Sequence, residues 1–143
     1  MARSRTRDGR RIAALAVVLA AVPLLSGCAG PIAFSDFGRE RTDADALPDL
    51  GVVTDGIDPE SARYAGSVEG LEVYLGSSVE RGDQCVIVDA GAQSSSACTT
   101  GGGTVSSGPG AWTVQLHPDG GGPEDSSFED WTPLGENVSV RAD

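Results

Sequence analysis

The chain has 143 residues, 39% hydrophobic and only 5% aromatic, which suits one modest domain. Its ten arginines, no lysine and twenty-one acids give a net charge of −11. Five of those arginines lie in the first eleven residues, so residues 28–143 carry five arginines against twenty acids, a net −15. A surface of that sign repels nucleic acid and anionic lipid headgroups, which excludes both as partners.

The first thirty residues divide into three parts. Arg3, Arg5, Arg7, Arg10 and Arg11 face a single Asp8, residues 12–25 then run without a charge, and Ser26, Gly27 and Cys28 follow. A basic end, a short apolar run and small residues are the parts of a secretory signal peptide. The apolar run falls short of the roughly 20 residues that a membrane helix needs. Leu25-Ser26-Gly27-Cys28 resembles the bacterial lipobox. That resemblance implies diacylglycerol on the Cys28 sulfur, cleavage before Cys28, acyl chains such as palmitate, and a mature protein held on the extracytoplasmic face of the cell membrane. Two or more acyl chains hold firmly where one holds only marginally. Arg10-Arg11 raises twin-arginine export, but the flanking residues match it poorly and ordinary Sec export is the expectation.

Residues 28–60 carry eight acids and Pro31, Pro48 and Pro59, with no repeating apolar pattern. They read as an acidic, flexible tether, with Leu50 to Val53 as a stretch able to pack on the domain. From Ala62 the pattern changes to period two. Ala62, Tyr64, Gly66 and Val68 alternate with polar or small residues, as do Leu71, Val73 and Leu75. Glu69-Gly70 between the two runs suits a two-residue hairpin turn. The implied register pairs Val68 with Leu71, Gly66 with Val73 and Tyr64 with Leu75.

Cys85-Val86-Ile87-Val88 is continuously apolar and reads as a strand covered on both faces. Ser94–Thr99 is its short partner, with Cys98 facing Cys85. Residues 91–110 contain six Gly and five Ser, a composition of mobile loops. Trp112, Val114 and Leu116 mark another half-buried strand, ended by Pro118-Asp119-Gly120. A polar loop runs to about Asp130, and Val138 and Val140 mark a last strand. Nothing beyond residue 28 has a convincing helical period.

With Cys28 assigned to lipid, Cys85 and Cys98 are an even pair in an exported chain, so a disulfide is expected between them. The sum is a mainly β protein: a small antiparallel sheet of five to six strands, a sandwich or partly open barrel, with one disulfide and a disordered N-terminal tether. Its parts are a signal peptide (1–27), the tether (28–60) and a β domain (61–143). The arginine-led hairpin (Arg63, Gly66, Gly70, Val73, Tyr74), the cysteine pair around an apolar strand, the Pro-Asp-Gly turn and the terminal Asn-Val strand are similar to small secreted β domains of uncharacterised actinobacterial lipoproteins and membrane proteins. The resemblance spans residues 60–143. It implies a fold style and a cell-surface location and transfers no activity.

Chemistry is sparse. The only histidine is His117, expected to face outward, and no nucleophile elbow surrounds Ser94, Ser95 or Ser96. Ligands for zinc are too few, and no residue pattern asks for a cofactor. The expectation is therefore a non-enzymatic envelope module with an envelope protein as partner. A second reading is a cation-binding surface protein using the acidic loop 119–130, where Asp119, Glu124, Asp125, Glu129 and Asp130 crowd together and calcium takes flexible oxygen ligands. A third is a hydrolase using carboxylates such as Glu72 and Asp89. Arg81-Gly82-Asp83 reads as a turn rather than an adhesion site. Asn137-Val138-Ser139 is a glycosylation sequon in form only.

Overall fold

A computed structural model describes residues 33–106, 111–123 and 130–142. Two four-stranded antiparallel sheets are formed. The first, in order β1-β2-β3-β4, is built from Ile57–Val68, Leu71–Ser78, Gln84–Asp89 and Ser95–Thr99. The second, in order β5-β6-β8-β7, is built from Gly103–Ser106, Trp112–Leu116, Thr132–Leu134 (β7) and Val138–Ala142 (β8). One buried cluster joins Leu71, Val73, Leu75, Val86 and Val88 of the first sheet to Val105, Trp112, Val114, Leu116, Val138 and Val140 of the second. The mainly β class, the sandwich and the disulfide follow the sequence reading. Among the described residues the strands number eight rather than the five to six expected. Gly103–Ser106 and Thr132–Leu134 went unread because glycine, serine and a proline hide short edge strands.

The hairpin between β1 and β2 turns at Glu69 and Gly70, with φ of +50° and +84°. Positive φ at both central residues is the type I′ turn, whose twist matches that of the strands. Val68 pairs with Leu71 and Gly66 with Val73, as the alternation requires. Beyond Gly66 the register shifts, so that Tyr64 pairs with Tyr74 and Arg63 with Leu75. That corrects the expected pairing of Tyr64 with Leu75. A bulge adds one residue to one strand and swaps the faces beyond it. Tyr64 therefore joins Tyr74 on the outer face, with ring centroids 5.1 Å apart.

Glu69 holds a left-handed conformation that L-residues with long side chains resist and that asparagine tolerates. Glu69→Asn should therefore raise stability by about 0.5 kcal/mol. A higher urea midpoint with an unchanged slope is the expected result; a lower midpoint would show that Glu69 makes a compensating contact.

The stretch expected as a flexible tether is largely folded. β1 begins at Ile57 rather than Ala62. Phe34 and Phe37 pack against the main cluster, and their rings meet edge to face at 5.9 Å. Leu47, Leu50 and Val53 pack on Ile57, Tyr74, Cys85 and Ile87, on the far side of the first sheet. This explains the unbroken apolar run of β3: Val86 and Val88 face the second sheet, while Cys85 and Ile87 face the N-terminal segment. Gly76 completes that outer layer. A Cβ there would lie 2.9 Å from Ile57 Cγ2, so the missing side chain lets Ile57 seat on β2. The correction has a physical cause. Acids and prolines resemble disorder in composition, yet five apolar side chains, with hydrogen-bonded Asp36 and Asp45, hold the segment down.

Candidate functional site

Cys28 and the residues read as a signal peptide, 1–27, lie outside the described residues. Among the described residues no helix is long and apolar enough to cross a membrane. Cys85 and Cys98 are directly opposite on β3 and β4 and are bonded, with a Cα–Cα distance of 4.0 Å. Cys85 is fully buried, while Cys98 lies at the surface of the edge strand β4.

The N-terminal segment is fixed by polar hubs as well as by packing. Asp45 is completely buried. Its carboxylate accepts from both terminal nitrogens of Arg39, from the Thr42 amide at 2.6 Å and hydroxyl at 3.0 Å, and from the Tyr64 amide at 2.7 Å. Arg39 also donates to the Tyr64 carbonyl at 2.9 Å. The guanidinium, followed by the backbone amides, holds the Asp45 carboxyl well below the usual carboxylate range, against the opposing pull of burial. Arg63 donates to the Arg39 carbonyl at 2.9 Å, and Arg41 pairs with Glu60 at 2.7 Å. Residues 39–45 are thus strapped along β1.

A second hub ties the first described residues to the second sheet. The Asp36 carboxylate accepts from the Glu136 and Asn137 amides at 2.8 and 3.0 Å, and the Asp36 amide donates to the Asn137 side-chain oxygen at 2.9 Å. Asn137 also donates to the His117 carbonyl and to Asp119. Asn137 is fully buried, so both ends of its amide serve the fold and the sequon is closed to modification in the folded chain.

Asp119 accepts from the Ser35 amide at 2.8 Å and from Asn137 at 2.8 Å. The Ser35 amide, then Asn137, holds its carboxyl below the usual range. Asp130 is exposed. Glu124, Asp125 and Glu129 of the acidic loop lie outside the described residues. Among the described residues no three His, Cys, Asp or Glu side chains gather as a metal would require.

His117 lies just past β6 and is buried, not outward-facing as the alternation suggested. Its Nε2 is 3.0 Å from Ser139 Oγ. The other ring nitrogen has the Pro118 carbonyl at 3.5 Å, too far for a strong hydrogen bond. Ser139 is 4% exposed and sits inside the β8 ladder. The pair borders a cleft of about 320 Å³, with Gly121, Pro123, Trp131, Pro133 and Glu136 around it. The Arg141 guanidinium stacks over Trp131 at 5.0 Å from the ring centroid. The buried His117 and Gln115 went unread because strand alternation alone does not reveal which outward positions are covered in the fold.

No family model, curated protein or solved structure matches the chain. The site must be read from its own residues.

Glu72 and Asp89, the carboxylates considered for hydrolysis, are direct partners across the β2–β3 ladder. Each has local work. Glu72 accepts from the Tyr74 hydroxyl at 3.2 Å, and Asp89 accepts from the Gly91 amide and the Ser94 hydroxyl at 3.2 and 3.1 Å. Burial, with the Glu72 charge beside it, pushes the Tyr74 phenol up to about 12, so it stays a proton donor to Glu72. In the Arg81-Gly82-Asp83 turn, Arg81 binds Asp83 at 2.6 Å. The two charges of the tripeptide are spent on each other, as a structural turn requires.

Proposed function

We propose that the chain is a lipid-anchored extracytoplasmic lipoprotein, attached to the cell membrane through Cys28, whose β sandwich binds or supports another protein of the envelope without catalysing a reaction. The observation that carries this reading is Leu25-Ser26-Gly27-Cys28 placed directly behind a basic end and a short apolar run. The Cys85–Cys98 bond supports it, because structural disulfides persist in oxidising compartments outside the cytosol. The same reading makes the chain a relative in style of the small actinobacterial lipoprotein domains named above.

A non-enzymatic role is favoured by the state of the reactive groups. A serine hydrolase needs an oriented histidine and an accessible nucleophile, whereas Ser139 and His117 are both buried and His117 has no carboxylate partner among the described contacts. The cation-binding alternative gains no support from Asp119, whose carboxylate already serves Ser35 and Asn137.

Metabolic labelling with a clickable fatty acid tests the anchor. The native protein should label and fractionate with membranes, and Cys28→Ala should do neither. Equal labelling of the two proteins would overturn the assignment.

A further inference from the structure

Five peptide steps separate Cys28 from Ala33. At Ala33 the chain is already held. The Asp119 amide donates to the Ala33 carbonyl at 2.9 Å, and the Ser35 amide donates to the Asp119 carboxylate at 2.8 Å. Phe34 and Phe37 then enter the core, and Asp36 is bound to the Glu136 and Asn137 amides. No free length remains downstream, because Arg39 and Asp45 fasten the next stretch to β1.

We propose that the anchored protein works as a membrane-surface module on a five-residue leash, with the end of the sandwich that carries Ala33, Asp119 and Asn137 turned toward the bilayer. The proposal rests on the lipidation of Cys28 argued above. A fully extended chain of five residues spans at most about 18 Å. A domain of this size has a radius of gyration of about 13 Å. Every part of it is then kept close to the lipid, and the partner it can reach is a protein embedded in the same bilayer or lying on it.

Two acids lie at the tethered end. Asp119 and Glu136 are exposed there, and the whole mature chain is strongly negative. Like charge disfavours adsorption onto anionic headgroups. The leash, rather than adhesion to lipid, is what holds the domain at the surface, so its height follows the length of the leash.

The experiment uses the full-length lipidated protein in phosphatidylcholine vesicles. A donor dye is placed on Val79→Cys, an exposed position on the β2–β3 turn, with the native disulfide kept intact, and an acceptor dye is placed on the lipid. A companion protein carries about 20 Gly/Ser residues inserted after Gly30, upstream of the first held residue, adding roughly 25 Å of r.m.s. reach. Flotation with the vesicles is scored first. Protein that fails to float overturns the Cys28 reading and the leash with it. For protein that floats, energy transfer should be strong in the native chain and fall about twofold on insertion. Weak transfer that the insertion leaves unchanged, with flotation intact, would overturn the leash alone, because a segment 29–60 detached from the domain already supplies that reach.

Discussion

Asp45→Ala is expected to unfold on the order of 15 °C below the native protein. Removing one partner of a buried, hydrogen-bonded ion pair costs about 3 to 5 kcal/mol. The lower figure applies here, because Arg39 is about one-third exposed and water re-solvates it. The Tyr64 and Thr42 amides are left without their acceptor, which adds to the loss. In a domain of about 100 residues each kcal/mol moves the midpoint by roughly 4 to 8 °C. Calorimetry of the two proteins measures the shift, and a change of less than about 3 °C would show that the segment is held by its apolar contacts alone. The native protein should also show an acid limb that Asp45→Asn lacks. The folded pKa of Asp45 is depressed below the ordinary value of about 3.9. Its stabilisation is therefore complete above that value and is lost as the pH falls through it toward the folded pKa.

Removing the cross-strand bond should cost nearly as much. The disulfide joins residues 13 apart, and closing a loop of that size stabilises by about 3 kcal/mol in the chain-entropy model. Cys85→Ala with Cys98→Ala also empties part of a fully buried site under Leu50 and Val53, which adds a cavity term. The double variant should melt about 10 to 15 °C lower and retain its far-ultraviolet β signature. Reduction of the native protein should approach the same midpoint. A reduced protein as stable as the oxidised one would show that the β3–β4 ladder needs no covalent support.

Period-two alternation made β2, β6, β8 and the latter half of β1 legible, a continuous apolar run made β3 legible, and residue parity made the disulfide legible. Three features escaped for different reasons. The bulge between Tyr64 and Gly66 lies where Leu134 packs on the backbone: a Cβ at Gly66 would come within 3.1 Å of Leu134 Cδ2, and that neighbour is 68 positions away in the sequence. The strap from Arg39 to Asp45 was invisible because a buried aspartate and a solvated one look alike in composition. The Asp36–Asn137 hub joins a segment that read as disordered to a sequence that read as a sequon. In each case local pattern was overruled by a long-range partner. Of the candidate site, the proposed anchoring at Cys28 was wholly a sequence reading, while the burial of His117 beside Ser139 of β8 could be found only from the fold.

The Asp36–Asn137 hydrogen bond spans 101 residues, which has a consequence for the order of events in folding. Loop-closure entropy must be overcome before such distant partners repay it. The first-made part of the domain can reach its final place only when nearly the last strand exists. A nascent chain of this design stays unfinished until that strand is made, a property that suits the export proposed above, in which a polypeptide crosses the membrane before it folds.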